Sequence, residues 1–351
     1  MRSCERLSLR PPKALCADRS GPRDAPQTFS QYELTSQIVK IILALVAGRP
    51  KYSFGGDAVK FERVVVTGGL GRLGRSVVSR LAGKAKVTVL DVTSPTSPLP
   101  PDVEAVTVDM TDYPAVLTAM KGHDAVIHLA AIPNPRAAPA PITFKTNVQG
   151  AWVVMQAAED AGVKRMSVAS SDSVYGLSYN PLDWPPKYLP VDEAHPCRPT
   201  EFYSLSKYVT ETIAASFAAR RKLEVMVIRP VHVVFPPEYP ELGTRGDDPQ
   251  NYHFWAYVAP EDVAQGFEKT LTAPYKGLDT FVISAADGLN VKPTLEFARE
   301  RWGKVPEIRR PEYFKANPLA SVIDITRARE VLGYEPEHDW RSMLAKSGMT
   351  R

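Results

Sequence analysis

The stretch Arg63-Val-Val-Val-Thr-Gly-Gly-Leu-Gly-Arg-Leu-Gly74 constrains this chain more than any other. Val64–Val66 form an unbroken apolar run, which suits a strand covered on both faces in a parallel sheet. Leu73, Val77, Val78 and Leu81 then recur at helical spacing. A strand therefore enters the glycine loop and a helix leaves it. In that context Gly68 permits the tight turn, Gly71 lets a ligand approach the backbone, and Gly74 lets helix and strand pack closely. The first N–H groups of the helix have no partner within it, so a pyrophosphate can sit on them.

The next apolar run, Lys86-Val-Thr-Val-Leu-Asp91, ends in an acid 23 positions after Gly68. That is close to the ~20 expected of a carboxylate that accepts ribose hydroxyls. Asp91 would repel a 2′-phosphate, so NAD is expected rather than NADP. Arg72, inside the loop, works against that preference through its positive charge.

Strands and helices go on alternating, as a doubly wound α/β sheet requires. Strands are expected at 105–108, 125–129, 165–170 and 225–230, and helices near 112–120, 142–161 and 202–221. Prolines gather at 95–101, 133–141, 181–199 and 230–249, between the periodic segments, and read as stiffened loops. In open parallel sheets chemistry collects beyond the carboxyl ends of the strands. Asp91, Asp109, Ala130, Ser171 and Pro230 all fall there. His128, ending an apolar strand, reads as a structural histidine.

Charge and cysteine content exclude other classes. Of 351 residues, the first 60 hold ten basic and five acidic side chains. The formal charge of +4 thus sits in that segment and the remainder carries −1. A nearly neutral folded part argues against a nucleic-acid footprint. Ile38–Val46 is too short to cross a hydrocarbon core that needs roughly 20 residues. Residues 1–60 are expected to be a leader, disordered or the product of an extended gene start, with Val59 near the natural beginning. Residues 61–351 are expected to form one domain, with substrate-cap elements in 177–200, 232–256 and 286–340. Cys4, Cys16 and Cys197 make neither a disulfide framework nor a metal-ligand pattern, so a reducing cytoplasm, no metal and no membrane are expected.

With these motifs in order, the chain resembles the extended short-chain dehydrogenase/reductase family, which includes sugar epimerases, dehydratases and uronate dehydrogenases. The resemblance covers roughly 61–340. It rests on the glycine loop, Asp109-Met110, His128-Leu-Ala-Ala131, Asn147-Val-Gln-Gly150, Ser170-Ser-Asp-Ser-Val-Tyr-Gly176, Tyr203-Ser-Leu-Ser-Lys207, Arg229-Pro230 and Tyr257-Val-Ala-Pro-Glu-Asp-Val-Ala264. It implies a Rossmann fold with a small C-terminal cap. It implies cofactor contacts from Gly68, Gly71, Arg72, Leu73, Gly74, Asp91, Asp109, Met110, Leu129, Ala130, Ala131, Asn147, Tyr203, Lys207 and Pro230. It also implies that Tyr203 takes a hydroxyl proton, that Ser171 holds the same oxygen, and that Lys207 assists the phenol and binds the nicotinamide ribose. A phenol has an ordinary pKa of about 10 and needs nearby positive charge to act as a base at neutral pH. Asn134, Arg136, Ser173, His232 and Arg245 are the candidate substrate contacts.

Only 26 residues separate Pro230 from Tyr257, where nucleotide-sugar members of the family carry a long substrate segment. A small sugar, sugar acid or polyol is therefore the expected substrate. Uronate dehydrogenases place an arginine shortly before the late motif, whereas Tyr252-His253 stand here. An NAD-retaining epimerase or dehydratase is the second reading and a non-catalytic dinucleotide sensor the third. The intact Tyr203–Lys207 pair disfavours the sensor. Family members commonly pair through two helices, which makes a homodimer the expectation, with Trp152, Met155, Val209, Ile213 and Phe217 as candidate contacts.

Overall fold

A computed structural model describes residues 61–180, 184–251, 253–274 and 277–349; the expected leader over 1–60 and Tyr252 lie outside them. The first strand is β1, Arg63–Thr67, and Val64–Val66 within it are fully buried. It feeds helix α1, Arg72–Leu81, which buries Gly74, Val77, Val78 and Leu81. Then follow β2 (Lys86–Asp91), β3 (Val103–Thr107), α2 (Tyr113–Met120) and β4 (Ala125–His128). The second half supplies α3 (Ala140–Phe144), α4 (Gly150–Asp160), β5 (Arg165–Ala169), β6 (Tyr188–Leu189), α5 (Phe202–Ala219) and β7 (Glu224–Pro230).

Among the described residues the main sheet has seven strands in the order β3-β2-β1-β4-β5-β7-β8, where β8 is Leu278–Ile283. Every pairing in it is parallel. The chain winds outward from β1 to β3 and then returns to place β4 on the other side of β1. That reversal opens a crevice between the ends of β1 and β4, where ligands of such sheets bind. One face carries a continuous apolar core of sheet residues packed on α2, α4 and α5, including Val65, Val126, Met155, Met166 and Phe217. On the other face α1 packs against α7, Pro260–Thr272.

Two elements differ from the sequence expectation. β3 starts and ends earlier than 105–108, because it is an edge strand with mostly exposed residues and shows no apolar run. The helix expected over 142–161 begins at Ala140 and is interrupted by a π turn, Lys145–Gln149. The N–H of Gly150 reaches the carbonyl of Lys145 across this wider turn. Here the wider turn carries Asn147, whose Oδ1 accepts the Ile132 N–H at 2.7 Å while its Nδ2 donates to the Ile132 carbonyl at 3.1 Å. A side chain that bonds both backbone groups of one residue is a local cause for the widened turn, as π turns often are at functional sites.

The late acidic motif is a fastener. Asp262 is buried and accepts the N–H groups of Glu337 and His338, at 3.0 and 3.1 Å. The Tyr257 hydroxyl donates to Asp287 at 2.5 Å and accepts the Trp340 N–H at 2.8 Å. The C-terminal region is thereby pinned to the sheet. It holds α8 (Thr294–Trp302), β9 (Glu307–Ile308), α9 (Pro311–Ala316) and α10 (Trp340–Lys346), with α6, Leu242–Arg245, earlier in the chain. β9 pairs in parallel with β6. No helix among the described residues is long and apolar enough to cross a membrane.

Candidate active site

A cavity of about 1150 Å³ lies at the carboxyl ends of the strands. Its first wall is the glycine loop. Gly68 has φ +68°, and a Cβ there would stand 2.7 Å from the Ala130 nitrogen; a Cβ on Gly74 would stand 2.1 Å from the Gly68 carbonyl oxygen. Only hydrogen fits at either place. Gly71 heads α1 and no side chain caps the helix, so its first N–H groups face the cavity for an anion. Asp91 ends β2 on the same wall. Its carboxylate accepts the Leu70 N–H at 3.1 Å, which ties it to the loop. Asp109 lies beyond β3, where the backbone N–H and hydroxyl of Thr111 hold its carboxyl below the usual range.

The end of β4 supplies the floor. The Thr67 hydroxyl lies 2.7 Å from His128 Nδ1 and accepts the Ala130 N–H at 3.2 Å. Burial, aided by the charge of Lys207, lowers the His128 pKa to about 3, so the ring stays neutral and holds the strand end in place. Leu129, Ala130 and Ala131 line the cavity beside it.

The candidate reacting groups come from the end of β5 and from α5. Ser171 is an extended residue at the head of a short 3-10 turn, Asp172–Tyr175. Glu201 caps α5 by accepting the N–H groups of Tyr203 and Ser204, both at 2.6 Å, and this sets Tyr203 in the first helical turn. Lys207 follows one turn later, its Nζ donating to the Ala169 carbonyl at 2.9 Å. Burial pushes the Tyr203 phenol well up, and a hydrogen bond with Ser171 works in the opposite direction. Burial also lowers Lys207 to about 8, opposed by the charge of Glu211. Ser171, Tyr203 and Lys207, scattered over 37 positions of sequence, thus meet on one wall.

The last wall follows β7. Pro230, His232, Phe235, Glu238, Arg245 and His253 face the cavity. Arg72 reaches over from the glycine loop, 2.9 Å from Glu238 and with its guanidinium 3.9 Å from the centre of the Phe235 ring. The guanidinium that could have offset Asp91 is thus engaged on the opposite side. His232 Nε2 lies 3.0 Å from both Glu238 and Arg245, and its ring stacks on His253 at 3.8 Å. Burial opposes ionisation of Glu238, yet the hydrogen bonds from His232 and Arg72 and the charge of Arg245 bring its pKa to about 2.

Of the residues expected from sequence, the glycine loop, Asp91, Asp109, Met110, Leu129–Ala131, Asn134, Arg136, Ser171, Tyr203, Lys207, Pro230, His232 and Arg245 all line this cavity. Asn147 does not. It is buried, where it fixes Ile132 and donates to the Ser206 hydroxyl at 3.0 Å. Ser173 is fully buried and is not among the residues lining the cavity. No residue of 286–340 lines the cavity, whereas 177–200 contributes Ser178 and Tyr179. Sequence reasoning missed Asp172, Tyr179, Phe235, Glu238 and His253. Asp172 stood within the serine motif. The Glu241–Arg245 spacing of four is a helical charge pair that could have exposed the ordered turn around Glu238.

Residues 64–246 match the NAD dependent epimerase/dehydratase family. The chain belongs to that family. It is 32% identical over 233 residues to the L-arabinose 1-dehydrogenase (NAD(P)(+)) of Haloferax volcanii, covering 64% of this chain and 89% of that protein. It is 31% identical over 233 residues to the uronate dehydrogenase of Pseudomonas putida, covering 66% and 79%. A short-chain dehydrogenase/reductase superfamily protein from Agrobacterium tumefaciens, solved with bound NAD, superposes with a TM-score of 0.63 over 82% of this chain and 96% of that one, at 24% identity. The protein is thus an NAD-dependent enzyme of the extended short-chain dehydrogenase type. The residues present fit that cofactor: the hydrogen-only cradle at Gly68 and Gly74, the uncapped helix start and the acid at the end of β2 suit its pyrophosphate and ribose.

Proposed function

We propose that this enzyme is a dehydrogenase of a small free sugar, sugar acid or polyol, which oxidises a carbinol carbon and releases NADH each turnover. The observation that carries the reading is the meeting of Ser171, Tyr203 and Lys207 on the wall of a cavity that also holds the glycine loop and Asp91. Support for a small substrate comes from the segment after Pro230. It folds back on the glycine loop through Arg72, Phe235 and Glu238, leaving a compact substrate end bounded by 177–200 and 232–256 as the cap. The relatives named for L-arabinose and uronate are of the same kind.

Bound NAD supplies the hydride acceptor and a positive charge. The chain's own groups handle the proton. Ser171 and Tyr203 line the same wall, and a substrate hydroxyl placed between them can be held by the serine while its proton passes to the phenolate oxygen. Because burial disfavours the phenolate, Tyr203 depends on positive charge nearby, and Lys207 one turn away is the group able to provide it. The Lys207–Ala169 hydrogen bond fixes where that charge sits.

The test mixes purified protein, NAD and a panel of sugars, sugar acids and polyols, followed at the NADH absorbance band. Steady NADH accumulation supports the dehydrogenase. Product without net NADH would instead assign an NAD-retaining epimerase or dehydratase. Tyr203→Phe keeps the ring but removes the oxygen that exchanges the proton. Turnover should fall about 10²–10⁴-fold while NADH binding, read by fluorescence, survives. A Tyr203→Phe protein that keeps most of its activity overturns the assignment.

The exposed apolar side chains of α4 and α5 support a homodimer, and the free Cys197, without a disulfide partner among the described residues, accords with a reducing cytoplasm.

A further inference from the structure

The wall that follows β7 brings two guanidinium groups to the cavity and engages both. Arg72 leaves the glycine loop to stand 2.9 Å from Glu238 Oε1, with its planar face 3.9 Å from the centre of the Phe235 ring. Arg245 NH1 lies 3.0 Å from His232 Nε2, while its NH2 bonds the Glu241 carboxylate and stands 3.7 Å from Glu238 Oε2. That same oxygen of Glu238 lies 3.0 Å from His232 Nε2. Two guanidinium groups and two carboxylates thus form a cluster in which the charges of the four groups cancel, with Glu238 touching both cations. The neighbourhood extends to the phenol. The Tyr179 ring packs edge-on against Tyr203 at 6.1 Å, and the charge of Arg136 acts on both Tyr179 and His253, whose ring stacks on His232.

We propose that Glu238 is a specificity-determining residue: by holding Arg72 and Arg245 in this balanced cluster it denies a substrate carboxylate or phosphate its partner, so the enzyme takes an uncharged sugar or polyol. The inference narrows the function proposed above and rests on it. An anionic group that leaves water needs a paired cation or several donors in exchange. Both terminal nitrogens of Arg245 are already engaged, and one face of Arg72 is covered by Phe235. Arg136 is exposed, so water screens its charge and its hold on an anion is weak. The wall that carries Ser171 adds Asp172, a carboxyl that repels an anion once it is ionised. Hydroxyl groups meet no such cost. The Tyr179 phenol and the His253 ring, which burial keeps neutral, both line the cavity and can pair with a hydroxyl as donor or acceptor.

The probes are L-arabinose and D-glucuronate, an uncharged sugar and a sugar acid, compared as the ratio of their kcat/KM values at saturating NAD, so that changes in cofactor affinity cancel. The parent protein should favour L-arabinose by about tenfold or more, the order of cost for a polar group buried without its partner. Glu238→Gln keeps the shape and hydrogen-bonding capacity of the side chain and leaves the cluster with one positive charge in excess. The ratio should then move toward D-glucuronate by about tenfold, on the order of one unit charge acting at a partly exposed site. Glu241→Gln, at a carboxylate 58% exposed, disturbs the fold less and should move the ratio the same way by a smaller factor. A parent protein that favours D-glucuronate, or a ratio that neither variant moves, overturns the proposal and leaves the dehydrogenase reading standing. If the parent protein oxidises neither probe, calorimetric binding of both to the NADH-loaded protein decides the charge preference: D-glucuronate bound as tightly as L-arabinose, or neither bound, overturns it. Turnover of no sugar, sugar acid or polyol at all removes the functional reading itself.

Discussion

At the scale of single residues, two carboxylates on the cavity wall behave differently because their surroundings differ. Asp91 spends its acceptors on the loop and on its own turn, with Thr93 donating to Oδ1 at 3.1 Å. Asp91 lines the cavity, while Arg72 is drawn toward Glu238. Asp91→Ala should therefore weaken NAD and shift preference toward NADP, by removing the like-charge clash with a 2′-phosphate. Equal NAD affinity in variant and parent, measured by titration, would refute that role. Burial outweighs the Ser171 hydroxyl, at 3.2 Å, and the backbone hydrogen bonds of the turn around Asp172, and its pKa rises to about 7. A carboxyl whose folded pKa exceeds its unfolded value loses stability as pH rises between the two. For Asp172 that window runs from 3.8 to about 7, and the penalty is complete above it. Asp172→Asn should raise Tm at pH 8 and leave it nearly unchanged near pH 3. A melting curve whose Asp172→Asn difference is the same at both pH values would contradict this.

At the scale of elements, the glycine loop is a contact between backbones rather than a flexible stretch. Gly74 lies in the first turn of α1, and the close approach of its Cα to the Gly68 carbonyl brings helix and loop together. A methyl group there meets backbone, which cannot rotate away. Gly74→Ala should cost about 1–3 kcal/mol or more, and α1 should move off β1, weakening NADH binding. Calorimetry and fluorescence titration test this together; a variant that melts normally and binds NADH normally would show that the loop yields more easily than the geometry implies. The π turn before α4 belongs to the same scale. The periodicity of 142–161 reads as one helix, because five residues of wider winding barely disturb an apolar pattern. Its cause is a partner 15 positions away, Ile132.

At the scale of the whole molecule, α4 and α5 leave large apolar side chains in solvent. Trp152 is 46% exposed, Leu205 43% and Tyr208 41%. Of the five contacts expected from sequence, only Trp152 is exposed: Met155 and Phe217 face the core, and Val209 and Ile213 are half-buried. The proposed dimer surface is redrawn around Trp152, Leu205 and Tyr208. Leu205→Arg should convert a dimer to a monomer in light scattering at micromolar concentration, with the fold kept. A parent protein already monomeric there would remove the dimer.

Sequence alone determined the parallel α/β fold and singled out the proposed reacting groups, and the physical reason is locality. Val64–Val66, Gly68, Gly71, Gly74 and Asp91 lie within one strand-loop-helix-strand unit, and Tyr203 and Lys207 are one turn apart on one helix. Spacing along the chain fixes such groups in space once the element type is known. The substrate end was decided only by tertiary structure. Whether Ser173 points inward, whether Asn147 reaches the cavity and where Arg72 spends its charge all depend on partners from 15 to 166 positions away, or on which side of a short turn is buried. Such encounters leave no period in the sequence, because each is set by how separate elements pack and not by the repeat of any one of them.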